Sequence, residues 1–169
     1  MIFEGEYLNG ERNGKGKEYK LGLLEFEGEY FNGKRWTGKG YNQYNKIIYE
    51  LKEGKGSVKE IGYNGLLEFE GEYLNGERHG KGKEYYYDGG EIKFEGEYLN
   101  GKRHGKGKEY FNNGKLSFEG EYINGVRNGE GKEFYDNNKI GFEGEYLNGK
   151  IWDGKEYDEN GNLIFKGKY

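Results

Sequence analysis

The chain has 169 residues, of which 34% are charged, and a formal net charge of −4 at pH 7. It contains no cysteine, which excludes a disulfide framework and a thiolate metal site. Aromatic residues make up 18% of the chain, and we expect a folded protein because disordered chains are poor in aromatic residues. No apolar run approaches membrane-spanning length and no secretory signal pattern opens the chain, so we expect a cytoplasmic protein.

The sequence Phe-Glu-Gly-Glu-Tyr divides the chain into units. It begins at Phe3, Phe26, Phe69, Phe94, Phe118 and Phe142, and a variant begins at Phe165. The intervals are 23, 43, 25, 24, 24 and 23 residues, which indicates a repeat architecture with one degenerate unit inside the longest interval. We predict a single array over residues 1–169, with units starting near 3, 26, 48, 69, 94, 118 and 142 and a half unit at 165–169.

Each unit predicts one β-hairpin, as residues 94–117 illustrate. Phe94, Gly96 and Tyr98 alternate with two glutamates, which is the period-two pattern of a half-buried strand. The Asn-Gly pair that follows indicates a tight turn, because both residues tolerate positive φ. Residues 106–111 then form the second predicted strand, and a second Asn-Gly turn leads into the next unit.

Joined in this way, the hairpins predict an all-β fold of about fifteen strands, an elongated single twisted antiparallel sheet of consecutive β-hairpins. The glycine within each first strand would leave room for a ring from the neighbouring strand. On the opposite face, Glu95 would oppose Lys108 and Glu97 would oppose Lys106. The structural aromatic stripe predicted on the first face comprises Phe3, Tyr7, Phe26, Tyr30, Phe69, Tyr73, Phe94, Tyr98, Phe118, Tyr122, Phe142 and Tyr146.

The repeated pattern resembles that of the MORN repeat family. It consists of an aromatic residue, Gly, a second aromatic residue, Asn-Gly and a later Gly-x-Gly. In one unit these are Phe94, Gly96, Tyr98, Asn100-Gly101, Gly105 and Gly107. The resemblance covers essentially the whole chain. It implies a hairpin array of the kind known in scaffolds, in membrane-junction and cytoskeletal components, and as extensions on lipid kinases and lysine methyltransferases, although nothing here matches those catalytic domains. The linking turn at residues 109–116 also resembles bacterial MORN-like proteins described as antitoxins.

The degenerate unit near Ile48 is the least regular part of the array. Ile-Tyr-Glu-Leu-Lys replaces the usual first strand, and the following loop is shortened. One interpretation is a decayed repeat, which repeat arrays commonly contain. The other is a notch in the sheet, where Tyr41, Tyr44 and Tyr49 contact a partner.

All five arginines of the chain occupy one repeat position. They are Arg12, Arg35, Arg78, Arg103 and Arg127. One interpretation is an edge that binds anions, either phosphoinositide headgroups or an acidic partner. The other is that each arginine orders its own loop through carbonyl groups or a nearby glutamate, since carboxylates run through the same surface.

Both tryptophans, Trp36 and Trp152, fall in the two loops, residues 35–38 and 151–154, that are expected to be one residue longer than the others. Such a tryptophan either contacts a partner or covers a thin core. The only histidines, His79 and His104, lack a third ligand of suitable spacing, so no metal site is predicted. No phosphate-binding loop, nucleophile or paired carboxylate predicts a catalytic site or a cofactor.

The sequence therefore predicts a non-catalytic scaffold that mediates protein–protein interaction and binds no nucleic acid. The alternatives are a peripheral membrane adaptor that binds anionic phospholipids and a toxin-neutralising protein. A homodimer is also predicted, through the first strand or the aromatic face. The last strand is less suited to pairing, because Lys166 and Lys168 would lie on its exposed edge.

Overall fold

The structure is a computed structural model that describes residues 2–88 and 90–169. Fifteen strands follow one another: β1 (Ile2–Leu8), β2 (Glu11–Lys20), β3 (Leu23–Phe31), β4 (Lys34–Tyr41), β5 (Ile47–Leu51), β6 (Gly56–Ile61), β7 (Leu67–Leu74), β8 (Glu77–Tyr85), β9 (Ile92–Leu99), β10 (Lys102–Tyr110), β11 (Leu116–Ile123), β12 (Val126–Phe134), β13 (Ile140–Leu147), β14 (Lys150–Tyr157) and β15 (Leu163–Lys168). Helix is absent from these described residues. None of them belongs to a helix that could cross a membrane.

Positive φ angles at the Asn-Gly pairs close the hairpins. Asn100 and Gly101 have φ angles of 50° and 80°, which L-residues other than Asn and Asp seldom adopt and which match the right-handed twist of paired strands. The linking turns are closed by backbone hydrogen bonds. In one of them the N–H of Phe111 donates to the carbonyl of Lys115 at 2.8 Å. The predicted antiparallel array of consecutive hairpins is confirmed.

The chain forms two compact units, and the division between them falls within β8. The first unit contains the residues up to 82 together with 87 and 88. The second contains residues 83–86 and those from 90 onward. In the second unit the strands from β9 to β15 pair with their neighbours in chain order.

In the first unit the predicted single sheet is interrupted after β5. Strands β1 to β5 form one five-stranded sheet in chain order, whereas β6 and β7 pair outside it. The hairpin between β5 and β6 keeps only an isolated bridge from Lys52 to Lys55. Other hairpins pair two glycines at their centre, but Leu51 and Val58 take these positions, opposite Gly38 and Gly71. Their side chains prevent the close backbone approach that paired glycines allow.

The register confirms one predicted charge pair and corrects the other. Lys108 lies opposite Glu95, as the alternation predicts. Glu97 lies opposite His104 instead of Lys106, because a β-bulge follows His104 and places an extra pair of residues in β10. Such bulges recur in the other hairpins, and the alternation of residue types along a strand does not predict them.

The core is a single layer of rings lying on glycine backbone. A side chain at Gly107 would place its Cβ 2.6 Å from the Phe94 ring and 3.1 Å from Tyr122. The ring over Gly96 comes from Phe94 of the same strand, so the expectation of a ring from the neighbouring strand is wrong at that glycine. Phe94 meets Tyr98 and Tyr122 edge to face, with ring centres 5.7 and 5.3 Å apart, which is a favourable geometry for aromatic pairs.

The residues of the predicted aromatic stripe differ in exposure. Fully or almost fully buried are Phe26, Tyr30, Phe69, Phe94, Tyr98, Phe118, Tyr122, Phe142 and Tyr146. Phe3 and Tyr73 are partly buried, and Tyr7 on the first strand is exposed. The buried rings hold the sheet together and leave little of the stripe for a partner to contact.

Candidate functional site

The five arginines lie over the aromatic face. The guanidinium of Arg103 lies 4.0 Å from the centre of the Phe94 ring, and that of Arg127 lies 3.9 Å from the Phe118 ring. The arginine side chains expose only 20–29% of their surface. Each arginine therefore covers the phenylalanine of its own unit in a cation–π contact.

On several second strands, one glutamate accepts hydrogen bonds from arginine and tyrosine side chains of its own and neighbouring strands. Glu109 on β10 accepts hydrogen bonds from Arg103 on the same strand at 3.2 Å, from Tyr122 on β11 at 2.7 Å and from Arg127 on β12 at 2.6 Å. Burial raises the pKa of Glu109, but Arg127 and Tyr122 more than offset this, and the pKa lies below its usual value. The carboxylate is thus held ionised.

In the first unit the same arrangement is built on Glu18 and Glu60. Glu18 is 3% exposed and pairs with both Arg12 and Arg35. Glu60 accepts two hydrogen bonds from Arg78, at 2.9 and 2.7 Å. Burial raises the pKa of each carboxylate, and the arginines lower it further than burial raises it.

Every one of the five arginines is paired with at least one carboxylate. This is the arrangement that the loop-ordering interpretation expects. An anion-binding edge at Arg12, Arg35, Arg78, Arg103 and Arg127 stays a prediction, and an anion there would compete with the glutamates for each guanidinium.

The tryptophan loops are shorter than the other loops, which corrects the expectation of longer ones. Gly38 pairs with Gly28 as Gly16 pairs with Gly5, so two residues separate Arg35 from the paired glycine instead of three. The Trp36 ring packs on Phe31, with centres 5.1 Å apart, and covers Gly54. Trp152 differs, because 42% of it is exposed.

The degenerate unit contributes buried residues. Tyr49 is 7% exposed, lies against Gly40, and accepts a hydrogen bond from Arg35 at 2.7 Å. Gly40 pairs with Tyr49 as Glu18 pairs with Phe26, so the tyrosine hydroxyl takes over the acceptor role of the missing glutamate. Leu51 and Val58 are 3% and 1% exposed. The unit is irregular in sequence but packed in the core.

A cleft of about 280 Å³ opens at this point in the first unit. Its walls include Tyr49, Leu51, Val58 and Tyr73, together with acidic and basic side chains. Of the three tyrosines predicted at the notch, only Tyr49 lines the cleft. Tyr44 is 73% exposed on a linking turn, and Tyr41 ends β4 half-buried.

Four segments of the chain match the family model of the MORN repeat: residues 3–20, 69–91, 94–115 and 118–139, which together make up half of the chain. The chain belongs to the MORN repeat family. MORN repeats are known from scaffolds that mediate protein and membrane interactions, and the family is generally non-catalytic. A comparison with curated proteins gives no match. The matched segments exclude residues 21–68, where the Trp36 loop and the degenerate unit lie.

The MORN units carry one feature that was not predicted from the sequence, a row of exposed apolar side chains directly before the Asn-Gly turns. We define the apolar row of the second unit as Leu99, Ile123 and Leu147, which are 39%, 44% and 46% exposed. Val126, 44% exposed, lies opposite Ile123. In the first unit Leu8 and Phe31 hold the equivalent position and are also exposed. The signal was an apolar residue after every Tyr of the repeated sequence, on the face that otherwise carries charge.

Proposed function

We propose that this protein is a non-catalytic MORN scaffold that binds a protein partner through the apolar row of its second unit. The observation that carries the proposal is the exposure of Leu99, Ile123 and Leu147 at equivalent positions. Exposed apolar residues that recur in line are typical of interaction surfaces, whereas single ones are ordinary.

The spacing of the row supports a protein partner. The three residues end β9, β11 and β13, and each is separated from the next by one intervening strand. Two strand spacings amount to about 9–10 Å, so the row spans roughly 20 Å, a length suited to an apolar stripe on a partner. Lys102 and Lys150 lie opposite Leu99 and Leu147 and supply the polar border that protein interfaces have.

The arginine pairing weakens the case for anionic phospholipid as the main ligand. A lipid headgroup would have to displace Glu84 or Glu109 from Arg103, where the ion pairs measure 2.7 and 3.2 Å. A toxin-neutralising role would be one form of protein binding and shares the same test. Homodimerisation through the row would make a second copy of the chain the partner.

The test is quantitative capture by immobilised protein from extracts of the cells that produce it. The test variant carries Leu99→Lys, Ile123→Lys and Leu147→Lys. The control variant carries Tyr44→Lys, Tyr87→Lys and Leu163→Lys, which are residues outside the row that are more exposed than those within it. The proposal expects one or more proteins retained by the wild type and the control but lost from the test variant. Each is then purified and its direct binding measured by calorimetry.

Retention that is identical on the wild type and the test variant would contradict the proposal. Sedimentation with liposomes containing phosphatidylserine is measured in parallel. Binding to liposomes that requires the arginines, without any protein lost from the test variant, would favour the membrane adaptor instead. A concentration-dependent dimer in light scattering that the test variant abolishes would identify the partner as a second copy.

A further inference from the structure

Several residues that line the cleft of the first unit differ from the residues found at the same positions of most other repeats. The residue before the first aromatic of a unit is acidic only at Glu25 and Glu68, and both line the cleft. The equivalent residues of the other units are Ile2, Ile48, Lys93, Ser117, Gly141 and Ile164. Leu51 and Val58, which replace glycines of the pattern, line the same cleft.

A β-bulge that recurs at this position of the repeats places the two carboxylates at the cleft. In β3 the pairing passes from Leu24 to Phe26, so Glu25 is the extra residue of a bulge. In β7 the pairing passes from Leu67 to Phe69, and Glu68 is the extra residue there. A bulge re-aims the side chain of its extra residue, and here both turn to one cavity.

Part of this acidic wall has no donor. One oxygen of Glu25 pairs with Arg35 at 3.0 Å, while its Oε2 is buried and accepts no hydrogen bond from the described residues. Glu68 forms no ion pair with any residue of the described chain. The nearby cation, Lys20, donates to the carbonyl of Ile61 at 2.6 Å. Buried carboxylate oxygens normally have donors, so Glu25 lacks one. The half-buried Glu68 is the carboxylate that an outside donor reaches first, and Glu25 joins it when its side chain turns toward the cleft.

The other residues that line the cleft are suited to a planar cation at the end of an apolar side chain. Tyr49 and Tyr73 present rings, and Leu51 and Val58 present methyl groups. The volume of about 280 Å³ is below that of pockets for drug-sized ligands and accommodates one side chain. Guanidinium groups stack on aromatic rings and donate to carboxylates at the same time. Within the second unit Arg103 does both, over Phe94 and against a glutamate.

We propose that the cleft of the first unit binds the guanidinium group of an arginine side chain from the protein partner. Glu25 and Glu68 accept its N–H groups, and the tyrosine rings flank its plane. The site rests on the proposed function only for the source of the arginine. It gives the scaffold a second point of recognition, chemically distinct from the apolar row, and so selects partners with an exposed arginine.

The test is a titration of the ¹⁵N-labelled full-length chain, followed by the amide signals of Glu25, Leu51 and Val58. The probes are N-acetylarginine amide and N-acetylcitrulline amide, which match in shape but differ in charge. We expect saturable shifts with the arginine probe and binding weaker by roughly tenfold or more with citrulline. Glu68→Gln, which breaks no ion pair of the described fold, weakens arginine binding several-fold, while the same change at the exposed Glu145, outside the cleft, does not.

Equal binding of the two probes, no saturable shift, or no effect of Glu68→Gln would overturn the inference. Agmatine, which carries the same guanidinium and an added ammonium group, is the third probe. If it binds more tightly than capped arginine, the cleft selects a small dication and the assignment to a partner side chain is wrong. No partner is present in this titration. Its failure would therefore leave capture through the apolar row intact, and failed capture would leave this result intact.

Discussion

The hydroxyl of Tyr122 donates to the carboxylate of Glu109 at 2.7 Å and thereby ties one MORN repeat to the next. The tyrosine belongs to the first strand of its unit, and the glutamate belongs to the second strand of the unit before it. The ring of Tyr122 also meets Phe94 of that earlier unit. Stability in such arrays depends on contacts between neighbouring repeats, and this pair is one of them.

Replacing Glu109 with alanine is expected to lower the free energy of unfolding by about 2 kcal/mol, because three hydrogen bonds to one charged group are lost. Urea denaturation followed by circular dichroism measures the change. Glu159→Ala is the control, since this exposed side chain lies on a turn, and its cost should stay within about 0.5 kcal/mol. Equal losses for both variants would mean that Glu109 does not couple the repeats.

Gly107→Ala is expected to destabilise the second unit by about 1–3 kcal/mol, because the new Cβ would lie 2.6 Å from the Phe94 ring. The matched change Gly90→Ala places its Cβ in open space. It should be neutral or stabilising by up to about 1 kcal/mol through the unfolded chain. The two midpoints of urea unfolding should therefore shift in opposite directions or differ clearly. Similar shifts would show that the rings do not need the glycine.

Leu51→Ala is expected to cost about 2–5 kcal/mol, because this residue of the degenerate unit is 3% exposed in the core. The result distinguishes a packed unit from a decayed one, which would tolerate the change. Leu66→Ala, at a residue that is 40% exposed, should cost less than about 1 kcal/mol. Thermal unfolding of both variants measures the difference.

Stability is expected to fall in acid. The pKa values of Glu18, Glu60 and Glu109 are lowered in the folded protein, since the arginines outweigh the effect of burial. A carboxyl group with a lowered pKa stabilises the fold above its unfolded pKa, near 4.5, and this stability is lost as the pH falls further. The urea midpoint should be flat above about pH 5.5 and decline below pH 4.5. Glu109→Gln should make that decline shallower, and an unchanged slope would contradict the assignment.

The period of the repeats and the residue types in the turns were sufficient to predict the hairpins. Each Asn-Gly pair requires positive φ at two positions, and Asn100 and Gly101 adopt it. The pairing of Glu95 with Lys108 followed from alternation alone. Lys106 could not be placed, because a bulge adds residues without any change in the hydrophobic pattern.

The cleft was beyond prediction because it depends on long-range packing. Its unusual residues, such as Glu25 and Val58, are 33 positions apart and line one cleft where β5 and β6 belong to different sheets. The sequence did mark the unit near Ile48 as irregular, but it did not show that Leu51 and Val58 are buried there. The arginine row and a glutamate as its partner were open to interpretation from the sequence, whereas the particular glutamates, such as Glu60 and Glu109, became evident only from the structure.

Photo-crosslinking tests the central claim most directly. The protein carries p-benzoylphenylalanine either at position 123, in the apolar row, or at position 44, where Tyr44 is exposed on a linking turn. After irradiation in extracts of the producing cells, the scaffold proposal predicts a discrete protein adduct from position 123 and none from position 44. Adduct formation at position 44 alone, or at neither position, would contradict the account.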